Sequence, residues 1–80
     1  MYLSYDPRRN IAYMRLREAA GVEVETVKVS DEVNIDLASD GSAYGIELLN
    51  ANAQLRDGAQ GTLVLELAGQ RIEAPLPEMA

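Results

Sequence analysis

Val33-Asn34-Ile35-Asp36-Leu37-Ala38-Ser39-Asp40-Gly41-Ser42-Ala43-Tyr44-Gly45-Ile46-Glu47-Leu48-Leu49 is the stretch on which the fold turns. Val33, Ile35 and Leu37 alternate with Asn34 and Asp36; Tyr44, Ile46 and Leu48 alternate with Gly45 and Glu47. A period of two marks a strand with one face turned to a core. Between the two runs, Asp40-Gly41 is the strongest short hairpin signal, because both residues tolerate positive φ. The segment reads as strands Val33–Leu37 and Ala43–Leu49, with Asp36 and Glu47 on the solvent side.

The same period extends in both directions. Upstream, Tyr2–Tyr5 is a short strand, and Asp6-Pro7 opens a turn that Asn10 is suited to close. Ile11–Leu16 follows, with Ala12, Met14 and Leu16 on one face and Ile11, Tyr13 and Arg15 on the other. Glu18–Gly21 is a loop. In Val22–Val29 the valines change phase, and a bulge near Glu25-Thr26 would bring all four to one face. Downstream, Asn50 is placed to cap a helical turn through Arg56, which Gly58 or Gly61 would end. A last hairpin runs Thr62–Leu67, Ala68-Gly69, Gln70–Leu76. Pro75 lacks an amide donor, so the final strand belongs at an edge. The expected fold class is mainly β: an antiparallel meander of about seven short strands, open or rolled into a barrel-like form, with one short helix near residues 50–57.

The chain has 80 residues and 8.7 kDa, which makes 1–80 a single domain. Folding takes about 12,600 Å² of exposed surface down to about 4,700 Å². If roughly 60% of the difference is apolar, burial contributes about 120 kcal/mol. Ordering costs about 1.5 kcal/mol per residue, so the balance lies near zero. With no cysteine and no histidine, disulfides and the common zinc sites are excluded as staples. A chain in this position gains from a partner.

A hydrophobic fraction of 48% and a charged fraction of 25% are those of a soluble globular domain. No apolar run reaches membrane-span length, and Asp6, Arg8, Arg9, Arg15 and Arg17 interrupt any signal-like start. A cytoplasmic location is expected. The net charge of −6 disfavours nucleic acid and anionic membrane. Charge is uneven: residues 1–17 carry four arginines against Asp6, a net of +3. Residues 18–80 carry twelve acids against Lys28, Arg56 and Arg71, a net of −9. Such a body suits a basic protein partner or a second copy of itself.

The ordered blocks Tyr5-Asp6-Pro7, Ala12-Tyr13-Met14-Arg15-Leu16, Val33-Asn34-Ile35-Asp36-Leu37, Asp40-Gly41 and Gly45-Ile46-Glu47-Leu48-Leu49-Asn50-Ala51 resemble domain-of-unknown-function family 2283. Its members are short prokaryotic proteins. The likeness covers residues 2–51, so 1–51 reads as the family-like core and 52–80 as a helix and hairpin extension. The resemblance implies a small β-rich protein and brings with it no activity, cofactor or catalytic residue.

Motifs that suggest chemistry have simpler structural readings. Asp36, Asp40, Gly41 and Glu47 match positions one, five, six and twelve of a calcium loop. However, Ala38 offers no ligand at position three, and the flanks alternate as strands rather than helices. Asp36 and Glu47, with Arg15 to neutralise them, form the one carboxylate cluster suited to acid–base work or ligand binding. Ser4, Ser30, Ser39 and Ser42 have no histidine to activate them, and Gly41–Gly45 lacks the lysine of a phosphate loop. Arg8, Arg9, Arg15 and Arg17 with Tyr2 and Tyr13 make a weak basic-aromatic patch, which overall acidity argues against as a nucleic-acid site.

The leading expectation is a non-catalytic interaction or self-association module without cofactor, most naturally a homodimer. Strands apolar on both faces favour this: Ile11 and Tyr13 lie opposite Ala12, Met14 and Leu16, and Val64 lies opposite Leu63 and Leu65. The alternatives are a small hydrolase or ligand-binding protein using Asp36, Glu47 and Arg15, and an antitoxin-like regulator of a basic partner.

Overall fold

The computed structural model describes residues 1–56 and 61–77. The strands are β1 (Tyr2–Asp6), β2 (Ile11–Arg15), β3 (Val24–Lys28), β4 (Val33–Ala38), β5 (Ala43–Leu49), β6 (Thr62–Leu67) and β7 (Gln70–Pro75). One helix, α1 (Ala51–Leu55), follows β5. The protein is mainly β: the described residues form seven strands, as the alternation predicts, and one short helix.

The strand order is richer than a meander. β1 to β5 form one open antiparallel sheet ordered β1-β2-β5-β4-β3, and β6-β7 form a second sheet of two strands. β1 and β3 are free edges, so the main sheet does not close into a barrel. The chain leaves β2 beside β5 and re-enters at the far edge, three strand spacings or about 14 Å away. The connecting loop is pinned where Tyr44 Oη donates to the Ala19 carbonyl at 2.8 Å and Arg17 Nε donates to the Ala43 carbonyl at 3.3 Å. Local alternation predicts each strand; it carries no information on this long-range insertion.

The register places Leu3, Tyr5, Ala12, Met14, Val33, Ile35, Ile46, Leu48 and Val27 on one face of the sheet. β3 runs in continuous register with β4, so the bulge expected near Glu25-Thr26 is absent and Val24 points opposite to Val27. The irregularity sits instead at Asp36/Leu37, where Tyr44 is the extra residue of β5. As an edge strand, β3 tolerates a valine off the core face. The β4–β5 loop also differs from a two-residue turn. Gly41 has φ +87, Asp40 is not left-handed, Gly41 N donates to the Ala38 carbonyl, and Ala38 N donates to the Ser42 carbonyl. This is a three-residue loop, a turn followed by a left-handed glycine. Ala68-Gly69 is the two-residue turn, with φ of 50 and 83.

Helix α1 lies across one end of the apolar face. Ala51 and Ala12 are fully buried against each other's elements, and two alanines permit a close approach. Asn50 is left-handed and makes no cap bond. The cap comes from the β1–β2 turn: Asn10 accepts from Ala51 N through its carbonyl (3.1 Å) and from Asn52 N through its side chain (2.7 Å). Tyr5 Oη donates to Asn52 Oδ1 (2.5 Å), and buried Arg56 donates to Tyr5 Oη (3.2 Å). Arg56 is already extended, so the helix stops at Leu55, before the expected Arg56 and well short of Gly61; Asp57 and Gly58 lie outside the described residues. Among the described residues no large side chain is fully buried, and no helix is long and apolar enough to cross a membrane.

Candidate functional site

The polar face of the main sheet carries the candidate chemistry. Strand register arranges it in two rows that cross all five strands. One row is Tyr2, Arg15, Gly45, Asp36 and Thr26; the other is Ser4, Tyr13, Glu47, Asn34 and Lys28. Asp36, Glu47 and Arg15 therefore share a face. Asp36 and Glu47 are diagonal neighbours rather than direct partners, because Asp36 stands opposite Gly45 and Glu47 opposite Asn34.

The centre of this face is an aromatic ring laid over a glycine. Gly45 is buried, and a Cβ there would overlap the Tyr13 phenol. With hydrogen in that place, Tyr13 crosses the β5 backbone and donates from Oη to Asp36 Oδ2 at 2.7 Å. Thr26 donates to the other oxygen, Asp36 Oδ1, at 2.6 Å. Asn34 Nδ2 donates to Glu47 Oε1 at 3.0 Å. Burial pushes the Tyr13 phenol up to about 12; the hydrogen bond to Asp36 and that group's charge act in the same direction. Tyr13 is thus held as a neutral donor and is poorly suited to act as a base.

Arg15 does not neutralise the two carboxylates. Its guanidinium lies 5.2 Å from the centroid of the Tyr2 ring, a cation–π contact, and its Nε meets no hydrogen-bond acceptor among the described residues. The arginine patch is also divided. Arg8 and Arg9 sit in the β1–β2 turn, where Asp6 accepts both backbone amides and Arg9 approaches its carboxylate at 3.7 Å. Arg15 and Arg17 lie at the opposite end of β2, about 13 Å away along the strand. No single basic surface results.

The segment from Asp36 to Glu47 is a strand hairpin, with Asp40 folded inward on its own loop. Ser42 donates to Asp40 Oδ1 through hydroxyl (2.6 Å) and amide (2.9 Å), which holds that carboxyl below its ordinary range. Among the described residues no group of three carboxylates stands close enough to hold a metal. An open depression of about 360 Å³ lies beside this loop, lined by Glu23, Glu25, Leu37, Ala38, Ser39 and Gly41. It contains no cation or activated nucleophile.

A family model described as "Protein of unknown function (DUF2283)" matches residues 3–52. The chain belongs to this family. The match ends within α1, so it takes in all five strands of the DUF2283 sheet but for Tyr2 and leaves β6 and β7 outside. The resemblance seen in the sequence blocks at 2–51 is therefore the family relationship itself. No curated protein and no solved structure matches the chain. Sequence reasoning placed Asp36 and Glu47 on the polar face of this DUF2283 sheet but missed that Tyr13 and Thr26 satisfy Asp36. The available signal was Gly45, a glycine inside a strand, which leaves room for a cross-strand aromatic ring.

Proposed function

We propose that this chain is a non-catalytic self-association module that works as a homodimer through the apolar face of its main sheet. The observation that carries the reading is surface area. The chain exposes 5855 Å², whereas a compact monomer of its mass exposes about 4,700 Å². The radius of gyration is 13.9 Å, against about 12 Å for a compact chain of this length. Large apolar side chains contribute to it: Leu3, Val27, Val29, Leu65, Leu67 and Ile72 are all exposed. Exposed apolar surface on this scale favours an interaction site, and two-fold association is the commonest way to cover one.

The polar face supports the ligand-binding or hydrolytic alternative less well. Both oxygens of Asp36 already accept hydrogen bonds, Glu47 is engaged by Asn34, and Arg15 is turned to Tyr2. The test is light scattering coupled to gel filtration over a micromolar dilution series. The expected mass is twice 8.7 kDa; a mass of one chain at every concentration overturns the reading.

A further inference from the structure

We propose that the surface covering each sheet is the β6–β7 hairpin of the second copy, given and received reciprocally; this rests on the self-association reading above. The hairpin is built for such a role. Its register, Leu63 opposite Ala74 and Leu65 opposite Ile72, gathers Leu63, Leu65, Leu67, Ile72 and Ala74 on one side. Glu66, Arg71 and Glu73 fall on the other, where Arg71 pairs with Glu73 at 2.9 Å and approaches Glu66 at 3.9 Å. The charged side is thus satisfied in water. The apolar side is not covered by its own chain: Leu65, Ile72 and Leu67 are 43%, 49% and 58% exposed. A lone two-stranded hairpin is marginal in water and needs a surface to lie on.

Its own sheet supplies little of that surface: on this side of the hairpin Leu63 is half-buried, while Leu65, Leu67 and Ile72 stay exposed. Yet the sheet has a vacancy of matching form. Helix α1 packs on β2, with Gln54 reaching the Glu32 carbonyl, whereas the β3–β4 half exposes Val27 (41%) and Val29 (58%) beside Val33 and Ile35, with Glu25 on the same face opposite Leu37. Two adjacent strands make a strip about 10 Å wide and, at six residues, about 20 Å long. The hairpin presents an apolar strip of the same dimensions. The surface in excess of a compact monomer is roughly 1,100 Å² per chain, and a standard interface buries about 800 Å² per partner. One hairpin on one sheet, taken twice about a two-fold axis, closes the assembly.

The experiment compares Ile72→Glu on the hairpin's apolar side, Val27→Glu on the open half of the sheet, and Val64→Glu on the hairpin's other side. Masses come from light scattering at one micromolar concentration, and folding from circular dichroism. Ile72→Glu and Val27→Glu are expected to be folded with the mass halved, and Val64→Glu to stay doubled. Mixing the first two should restore dimer in part, because an intact hairpin on one chain meets an intact sheet on the other. A parent chain that is monomeric defeats self-association altogether. A dimeric parent with Ile72→Glu still dimeric defeats only the hairpin exchange and favours sheets stacked face to face. Should a glutamate variant fail to fold, the cysteine-free background offers a second route: Val27→Cys and Ile72→Cys chains, mixed and oxidised. A disulfide between the two different variants supports exchange; disulfides only between like chains overturn it.

Discussion

Replacing Gly45 by alanine should destabilise the protein, although alanine is ordinarily the better strand residue. The added methyl would occupy the space of the Tyr13 phenol, so the ring must leave the β5 backbone. Leaving breaks the 2.7 Å bond to Asp36, and a hydrogen bond to a charged group is worth about 1.5–3 kcal/mol. Against this, removing a glycine from a strand returns about 0.5–1 kcal/mol. The net expectation is a loss of about 1–2 kcal/mol, or a fall of about 1–2 M in the urea midpoint for a chain of this size. Protein concentration must be held fixed, because the stability of the proposed dimer depends on it. The decisive comparison is a double-mutant cycle with Tyr13→Ala. With the ring gone, Gly45→Ala should be neutral or mildly stabilising, giving a coupling of about 1–3 kcal/mol between the two sites. Additive losses, or a Gly45→Ala chain as stable as its parent, would refute the claim that the glycine exists to seat the tyrosine.

Three further outcomes are expected. The Tyr13 phenol titrates near 12 in the folded chain, against about 10 when unfolded. The folded state therefore holds a proton that the unfolded state has lost: stability complete below pH 10 declines as pH rises toward 12, and Tyr13→Phe should decline less steeply in thermal melts, parallel curves disproving the assignment. Asn10→Gly keeps the left-handed backbone at φ 59 but removes the 2.7 Å side-chain hydrogen bond to Asn52 N, which should cost about 1 kcal/mol in denaturant; no change would mean that the Asn10 carbonyl alone suffices. Ala68 holds φ 50 in the last hairpin turn, and Ala68→Asn should raise stability by about 1 kcal/mol by relieving left-handed strain; a lower melting temperature would count against that turn.

The edge strands are protected unequally against adding another strand. β3 carries Glu25 and Lys28 and is followed by Asp31, which pairs with Lys28 at 3.2 Å. Charges on an edge discourage strand addition. In the proposed exchange the hairpin therefore meets the face of the β3–β4 half rather than its rim.

Much of the architecture is determined by the sequence alone. Alternation at Val33–Leu37 and Tyr44–Leu48 specifies strands because side chains on a pleated chain project to opposite sides at every step. Gly41 and Ala68-Gly69 locate turns because left-handed backbone excludes most side chains, and Pro75 confines the last strand to an edge because it has no donor. Asp36 and Glu47 are assigned to the polar face by the same alternation. Other features were decided only by tertiary structure, since each depends on residues far apart in the chain. β5 lies between β2 and β4 because closing that ladder satisfies the backbones of both, an arrangement no local pattern records. The register step falls at Asp36/Leu37, where it absorbs Tyr44, while β3 pairs with β4 in continuous register and leaves Val24 off the core face. The helix is capped by Asn10 rather than Asn50, as the β1–β2 turn arrives at the helix start and presents both its carbonyl and its amide oxygen. Arg15 meets Tyr2 rather than Asp36 because β5 stands between β2 and β4, and the Tyr13 ring fills the space above Gly45.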